Sequence, residues 1–343
     1  MGNKKNQHYV PKFYLRNFSN NGKNVGLFMP EKNIYRNNAS IKSVAYSPFL
    51  YGEDGIVEDL LSKIESRWAS VIRKIINNKF DSFNQEEYIL LYSFIVISKS
   101  RTKKEADIGK YFFEYFKEIF ESKKIYNIIY DSINMEQMIK TPNLLQMIIS
   151  LESMNLLFDL EIVILENKTR YGFITSDNPI IYYNQLYTFR KYKRNYGIIA
   201  SGLQIFIPLN NQYMICLFDK DVYDLGENEG KKCIPINSKS EIDKLNKLSV
   251  INAYNQIFFH PDSKEKYIKG FKKLKKPYNI EDVIKTFPVQ DMPGEIIKIS
   301  NESIDLYVSL KLFKIRQKYL DIDLPTHQGG LQRNIAILKS NII

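Results

Sequence analysis

The sequence has few of the residues on which catalytic and structural sites most often depend. Its 343 residues include two cysteines, three histidines and one tryptophan. Cys216 and Cys233 have no CxxC spacing, and Cys216 lies inside the apolar run 213–218, where a buried thiol is the usual role. The cysteines therefore support neither a disulfide framework nor a zinc ribbon. With three histidines, the chain also has few groups that titrate near neutral pH.

Long apolar runs are also missing. The most hydrophobic stretch, residues 88–97, has ten residues, against the roughly 20 that a membrane-spanning helix needs. The first eight residues lack the apolar segment of a signal peptide. We therefore expect a cytoplasmic protein that has no membrane partner. The absence of GxGxxG, P-loop, HExxH and nucleophile-elbow motifs argues against nucleotide-fold enzymes and serine hydrolases.

Positive charge and aromatic residues are what the sequence has in excess. It contains 49 Lys and Arg against 38 Asp and Glu, a net charge of +11, and it has 24 Tyr and 21 Phe. An excess of cations favours polyanionic partners such as RNA or DNA. An AT-rich bacterial coding style, which raises the content of Lys, Asn, Ile and Tyr, is an alternative explanation. The 44% of hydrophobic residues is enough for a sizeable core.

Apolar spacing predicts that the N-terminal half is mainly helical. Residues 56–78 place eight apolar side chains at the three-and-four spacing of one helical face. Residues 86–99 are apolar nearly all round, which is typical of a buried helix, and residues 105–122 have an aromatic stripe. Pro142 fits the first turn of a further helix that runs to Leu157.

Runs typical of strands dominate the middle of the chain. Residues 160–166 and 171–175 flank an Asn-Lys-Thr turn and predict a hairpin. Three further strands are expected at residues 180–183, 203–209 and 213–219, and later helices at residues 241–255, 263–274 and 307–319. Near the N-terminus, the Asn-Gly turn at residues 21–22 predicts two short strands, in the apolar runs 13–18 and 25–30 that flank it.

This order of elements predicts the α+β class, with a helical N-terminal half, a central and mostly antiparallel sheet, and C-terminal helices. The whole chain, residues 1–343, is expected to form a single large domain. The alternative is a subdivision into a helical part, residues 1–158, and a sheet-containing part, residues 159–343.

The first candidate site residues lie in the run His8-Tyr-Val-Pro-Lys-Phe-Tyr-Leu-Arg16. His8 is a candidate base, acid or metal ligand, and Arg16 is a candidate clamp for a phosphate or carboxylate. If residues 12–16 are extended, Tyr14 and Arg16 point to the same face. The alternative is structural: His8 caps an element, Pro11 makes a turn rigid, and the apolar side chains pack in the core.

Two carboxylates form the second candidate group. Glu58 and Glu65 lie seven residues apart in the predicted helix, which places them within about 20° of each other around its axis. Two carboxylates on one flank can share a metal ion or orient a base. The alternative is an ion pair with a cation on a neighbouring helix, and Arg101 is the obvious partner. We favour the ion pair for Glu65 and leave both roles open for Glu58.

The third group is Ser176, Asp177 and Asn178, which follow an apolar run and precede Pro179. Polar residues in a loop at the end of a strand are common in functional sites. Asp and Asn oxygens can hold Mg²⁺ or Mn²⁺, so Asp177 and Glu58 are the candidate metal ligands. The alternative is a turn, which Asp and Asn stabilise by bonding to their own backbone.

Two basic runs, residues 190–194 and 271–276, interleave cations with aromatic side chains. Cations neutralise phosphates and aromatic rings stack on exposed bases, so the first run is a candidate contact with RNA or DNA. Its cations are Arg190, Lys191, Lys193 and Arg194. The alternative is a solvated charged loop.

Residues 8–18 and 175–179, which we call the signature motifs, together resemble the domain-of-unknown-function family 4238. Further features that resemble the family follow in order: Glu58 and Glu65 in one helix, Arg101-Thr102 after an apolar helix, Pro208-Leu209 at a strand end, and Asn252 in a late helix. The resemblance spans roughly residues 8–260. It departs from the family pattern after Arg101-Thr102, where the family often has Pro. It implies an association with bacterial anti-phage defence, which some members have, but no defined reaction.

Two main functions follow as hypotheses. The first is an effector that acts on nucleic acid as a metal-dependent nuclease. In it His8 is the base or a ligand, Asp177 and Glu58 hold the ion, and Arg16 or Arg101 stabilises phosphate charge. The second is a non-enzymatic sensor or partner-binding module in which the motifs are structural. A transferase or hydrolase acting on a nucleotide is a third. Catalysis predicts that His8 and Arg16 approach Asp177 in an open cleft.

Overall fold

The fold is α+β, as the sequence predicts. The computed structural model describes residues 5–122, 135–188, 197–275, 277–282, 284–288, 295–299, 308–321 and 331–333. Helices fill most of the N-terminal half and recur towards the C-terminus, and the strands pair mainly antiparallel. Where the structure is described, no helix is both long and apolar enough to cross a membrane.

The helices include the long ones that the apolar spacing predicts. They are α1 (Lys12–Arg16), α2 (Ile56–Ile76), α3 (Gln85–Ser100), α4 (Lys103–Ser122), α5 (Met135–Lys140), α6 (Pro142–Glu152), α7 (Lys239–Asn252), α8 (Glu265–Lys269) and α9 (Gln317–Leu320). Local sequence explains where two of them begin. Asn84 and Glu87 form a capping box at the start of α3, and Pro142 occupies the first turn of α6.

Within the described ranges, the strands form two larger sheets and three two-stranded ones. They are β1 (Asn6–His8), β2 (Asn24–Met29), β3 (Ile34–Ser40), β4 (Tyr46–Pro48), β5 (Glu161–Asn167), β6 (Thr175–Ser176), β7 (Ile181–Tyr183), β8 (Gln204–Pro208), β9 (Tyr213–Phe218), β10 (Tyr223–Asp224), β11 (Cys233–Ile236), β12 (Ile257–Phe259), β13 (Ile284–Pro288), β14 (Glu295–Ile299) and β15 (Lys314–Ile315). The five-stranded central sheet has the order β11-β5-β9-β8-β7, in which β11 runs parallel to β5 and the other neighbours are antiparallel. The four-stranded sheet has the antiparallel order β3-β2-β12-β6, and the pairs are β1 with β4, β10 with β15, and β13 with β14.

Both faces of the central sheet are buried. In β5, Ile162 and Ile164 pack into one core with side chains of α2 and α3. Val163 and Leu165 point to the other face and pack with α7 and with buried side chains of residues 308–313. Because each face is covered, the strands read as continuous apolar runs rather than as an alternation with polar residues. The sheet is the middle layer of three.

The predicted hairpin of residues 160–166 and 171–175 is wrong. β5 pairs with β9 and β11, whereas β6 pairs with β12 in the four-stranded sheet. The chain then returns to the central sheet as β7. The second signature motif, residues 175–179, therefore lies where the chain passes from one sheet to the other.

The first of the two short strands expected about the Asn-Gly turn, in the run 13–18, is wrong, because residues 12–16 form α1; the second is present as β2. Pro11 has a φ of −57°, which suits a helix start, and its carbonyl accepts hydrogen bonds from the N–H groups of Tyr14 and Leu15. Residues two apart on a helix point to roughly opposite sides. Tyr14 is accordingly buried and Arg16 is exposed, so the expected common face does not form.

The C-terminal part is less helical than the apolar spacing indicates. Of the predicted helix 307–319, the described residues form turns and β15 before α9 begins. The subdivision at residue 158 stays a prediction. The four-stranded sheet joins β2 and β3 from one side of that boundary to β6 and β12 from the other.

Candidate functional site

The two signature motifs meet in the structure through Tyr14. Its hydroxyl lies 2.7 Å from the Oγ1 atom of Thr175 and donates a hydrogen bond of 2.5 Å to the carbonyl of Pro208. Tyr14 has no exposed surface. A single phenol thus joins α1, β6 and the end of β8.

The carboxylate of Asp177 holds the loop that follows α7. Its Oδ1 atom accepts the N–H of Tyr254 at 2.7 Å, and its Oδ2 atom accepts those of Asn255 and Gln256 at 2.7 and 2.9 Å. Burial raises the pKa of Asp177 to about 6, whereas the three N–H donors and Lys275 act to lower it. Both oxygens are engaged inside the protein, which fits a structural role for this motif.

Ser176 and Asn178 fix the same junction. The Ser176 hydroxyl donates to the carbonyl of Asn178 at 3.0 Å and accepts its N–H at 3.2 Å. The Asn178 amide donates to the carbonyl of Asn252 at 3.0 Å. The Asn252 amide donates back to the carbonyls of Asn178 and Ile180, at 2.6 and 3.0 Å. These reciprocal bonds attach the second motif to the end of α7.

Arg101 joins the first motif to α2. Its guanidinium donates to the carbonyl of His8 at 2.7 Å, to the Tyr51 hydroxyl at 3.1 Å and to Glu65 at 2.8 Å. Burial acts to lower the pKa of Arg101, but Tyr51 and Glu65 raise it above its usual value, so the group stays charged. The predicted pairing of Glu65 with Arg101 is confirmed.

The imidazole of His8 is buried beside the ring of Tyr46, with 5.8 Å between the ring centroids. Burial lowers the pKa of His8 to about 4, and the charges of Lys12 and Arg101 act in the same direction. The ring is therefore neutral at pH 7. The main-chain carbonyl of His8, rather than its imidazole, makes the contact with Arg101.

The two motifs are linked near Asp177 by residues other than those expected. Among the described residues, neither His8 nor Arg16 is hydrogen-bonded or ion-paired with Asp177. The connection runs instead through Gln256, whose N–H bonds to Asp177 and whose Nε2 atom lies 3.4 Å from the Tyr9 hydroxyl. The neighbour of His8 in the sequence thus makes this connection.

Glu58 is half-buried in the first turn of α2. Within the described ranges, no group of three or more His, Cys, Asp or Glu side chains is placed to hold a metal ion. Mg²⁺ or Mn²⁺ at Asp177 and Glu58 stays a prediction. The predicted nucleic-acid contacts Arg190, Lys191, Lys193 and Arg194 lie outside the described residues.

Beside the signature motifs lies a second polar group, which we call the lysine–tyrosine cluster. It consists of Tyr9, Lys104, Asp107, Tyr254, Lys275 and Tyr278. The Tyr254 hydroxyl donates to Asp107 at 2.9 Å. The Nζ atom of Lys104 lies 4.5 Å from the ring centroid of Tyr278, and the rings of Tyr254 and Tyr278 meet edge to face at 5.5 Å.

Titration in the cluster is shifted by burial. Burial lowers the pKa of Lys104 to about 8, and the nearby ammonium group of Lys275 acts in the same direction. Burial also lowers the pKa of Lys275 and raises the pKa values of Tyr9 and Tyr254. Asp177 acts on both lysines and so connects the cluster to the second motif. Shifted pKa values gathered in one place are typical of functional sites, although ion-pair networks also produce them.

Sequence reasoning missed Lys104 because Lys103-Lys104-Glu105 resembles a solvated helix start. A signal was nevertheless present. The aromatic stripe of α4 includes Tyr111, and continuing it back by one turn at a time gives Ile108 and then Lys104. A lysine on the buried stripe of a helix is unusual, because burial of a charge is costly.

Comparison with known proteins gives one finding. Residues 6–263 match the sequence profile of a family described as protein of unknown function (DUF4238). Comparisons with curated proteins and with solved structures give no match. The matched range contains both signature motifs and most of the lysine–tyrosine cluster, but not Lys275 and Tyr278.

Proposed function

The chain belongs to the DUF4238 family of proteins of unknown function, and we propose that it is a nucleic-acid-binding module whose signature motifs are structural. This is the binding alternative among the functions that the sequence predicts, with RNA or DNA as the partner. A cytoplasmic location and a role in anti-phage defence belong to the same proposal. Phage plating on cells with and without the gene tests the latter.

The main support for a structural role of the motifs is the way in which their side chains are bonded inside the protein. Both oxygens of Asp177 accept backbone N–H groups, and the donors of Arg101 are directed to His8, Tyr51 and Glu65. Groups that are buried and bonded in this way position the backbone. They are poorly placed to contact a reacting phosphate.

Positive charge supports nucleic acid as the partner. The net charge is +11, and Lys272 and Lys273 are exposed beside the lysine–tyrosine cluster. Each phosphate that a cation neutralises releases counterions, so binding that depends on such contacts weakens steeply with salt. The basic run 190–194 supplies four further cations in a short stretch.

Fluorescence anisotropy with labelled single-stranded RNA and double-stranded DNA, at several KCl concentrations, tests the proposal. We expect log K to fall linearly with log salt concentration. Replacing Arg190, Lys191, Lys193 and Arg194 by Gln should reduce the slope by up to about 3 to 4. A control variant with Lys63, Lys79, Lys220 and Lys231 replaced by Gln has the same charge change at exposed positions elsewhere. Failure to bind either polymer at about 50 mM salt would refute the proposal.

A metal-dependent nuclease is the second candidate function. The observation that favours it is the gathering of Lys104, Asp107 and Tyr254, groups that can exchange protons or stabilise phosphate charge, in one cluster. Incubation of RNA, tRNA and plasmid with the protein in Mg²⁺, Mn²⁺ or EDTA tests it. The binding proposal predicts intact substrates in all three. Cleavage that needs the ion and is lost in His8→Gln would favour the nuclease.

A further inference from the structure

The ammonium group of Lys104 is buried in the protein, where a charge lowers the stability of the fold. It lies in the first turn of α4 and is 5% exposed, with its ammonium group over the Tyr278 ring. The neighbouring cations are neutralised, since Lys99 pairs with Glu105 and Lys103 pairs with Asp107. Among the described residues, no carboxylate forms an ion pair with Lys104 or Lys275. A buried ammonium group without a paired anion destabilises the fold.

The carboxylates that attract these two lysines are engaged elsewhere. Glu105 attracts Lys104 but is ion-paired with Lys99. Asp177 attracts both Lys104 and Lys275, but its oxygens accept three backbone N–H groups. Glu31 also attracts Lys275. The start of α4 adds the positive end of a helix dipole, because the first turn of a helix has N–H groups that point outwards. Within the described ranges, none of these carboxylates is ion-paired with either lysine.

Part of the cluster is accessible to solvent. Tyr254, Lys275 and Tyr278 are half-buried, and Asn255, the next residue after Tyr254, is exposed. The ammonium group of Lys104 lies over the Tyr278 ring, which meets the Tyr254 ring edge to face. Aromatic rings beside cations are a common setting for nucleotides, because bases stack while phosphates pair with charge.

The geometry points to Lys104 and Lys275 as a binding site for a phosphate group, carried by a nucleotide or by the end of a nucleic-acid strand. Each ammonium group has three N–H donors for phosphate oxygens, and a phosphate dianion would balance two cations. The inference rests on the proposed function and names the chemical group that is bound. Contacts between surface cations and the phosphates along a nucleic-acid strand do not depend on this site. Experiments can therefore refute the phosphate site without refuting nucleic-acid binding.

Calorimetric titration of the full chain with inorganic phosphate, AMP, ATP, and a decanucleotide with or without a 5′-phosphate tests the site. We expect Lys104→Met to weaken binding of the phosphorylated ligands at least tenfold. The same variant should raise the Tm of the ligand-free protein, because it removes an uncompensated buried charge. The control Lys110→Met loses one exposed charge from the same helix as Lys104 and should change neither quantity.

Proton uptake supplies a second measurement, which does not depend on a variant that folds. The titratable groups around Lys104 are those of Lys99, Glu105, Lys275 and Asp177, together with Tyr278, whose ring lies under its ammonium group. A phosphate beside Lys104 should raise its pKa from about 8, so that binding of AMP at pH 8 takes up about half a proton. Uptake should fall at pH 7, where Lys104 is already mostly protonated. It is read from the dependence of the binding heat on the ionisation heat of the buffer.

Each outcome has a defined meaning. Weaker binding together with a higher Tm in Lys104→Met supports the site, and the relative affinities of AMP, ATP and the 5′-phosphorylated strand identify the carrier. A lower Tm with unchanged affinity would make Lys104 structural and overturn the inference. Absence of phosphate binding at millimolar ligand, with salt-dependent nucleic-acid binding retained, would overturn this site alone. Loss of all nucleic-acid binding in the wild type would overturn the proposed function itself.

Discussion

At the scale of single residues, His8 makes stability depend on pH. Its pKa falls from 6.5 in the unfolded chain to about 4 in the fold, mainly through burial. Between these values the unfolded chain binds more protons, so the stabilising contribution is present above pH 6.5 and is lost as pH falls towards 4. Asp177 acts in the opposite sense below pH 6, because the fold raises its pKa.

We therefore predict the pH effect of His8 as a difference between two proteins. The unfolding free energy of the wild type, relative to His8→Gln, should fall by about 2 kcal/mol between pH 7 and pH 4.5. The Gln variant keeps the main-chain carbonyl that Arg101 binds, and Asp177 contributes equally to both proteins. Urea unfolding at the two pH values measures the difference. An equal difference at both would show that His8 titrates normally in the fold.

Residue roles were predictable where a local pattern implied a partner, and not where the partner came from elsewhere. The spacing of Glu65 on its helix predicts the ion pair with Arg101, and the polar run 176–178 predicts the turn in which Ser176 bonds to Asn178. Asp177 instead bonds to backbone groups 77 to 79 residues away. The link between Tyr14 and Thr175 joins positions 161 residues apart. The sequence provides no local signal for it. The same holds for Lys104, whose charge alone suggested a solvated position.

At the scale of elements, α4 and α6 approach closely at Gly109. A Cβ atom there would lie 2.9 Å from the carbonyl oxygen of Pro142 and 3.2 Å from its Cβ atom. In an exposed helix, Gly→Ala stabilises by about 1 kcal/mol. Here we predict the opposite sign, a loss of about 1 to 3 kcal/mol, because the backbone of α6 must move.

Urea unfolding of Gly109→Ala tests the contact between the two helices. Lys110→Ala is the matched control, since Lys110 is the next residue of α4 and is exposed. It should change stability by less than about 0.5 kcal/mol. A stabilised Gly109→Ala variant would mean that α6 lies far enough from α4 to leave room for a Cβ atom at position 109.

Element types were easier to predict than element partners. The spacing of apolar residues predicts α2 and α4, and a long apolar run predicts α3, because the contacts of a helix are made between neighbours in sequence. Adjacent turn residues predict a hairpin after β5, yet β6 pairs with β12, about 80 residues later. The composition of the run 13–18 favours a strand, whereas Pro11 starts a helix there. Apolar composition alone does not separate a short strand from a single helical turn.

At the scale of the whole molecule, the segment beyond the family match completes the core. Val308, Leu310 and Phe313 are buried on the second face of the central sheet. The Phe313 ring packs against those of Phe206 and Phe218, with centroids 6.0 and 5.3 Å apart. The match ends at residue 263, so this cover belongs to the part of the chain outside it.

Removal of the Phe313 ring from this layer should destabilise the protein. We predict that Phe313→Ala lowers the unfolding free energy by about 3 to 5 kcal/mol, because it leaves a cavity against the sheet. Leu320→Ala, in the same segment but half exposed, should cost less than about 1 kcal/mol. Both values come from urea unfolding followed by far-UV circular dichroism. Equal and small losses of unfolding free energy in the two variants would show that the C-terminal segment contributes little to the packing against the sheet.

The order of strands in the four-stranded sheet has a consequence for synthesis. β2 leaves the ribosome early, but its partner β12 follows about 230 residues later. At the usual rates of translation, β2 and β3 wait roughly 10 to 50 seconds before the sheet can close. A lone two-stranded hairpin is marginally stable in water, so the apolar side chains of β2 stay accessible during that interval. The nascent chain is therefore a natural client for chaperones that bind exposed apolar segments.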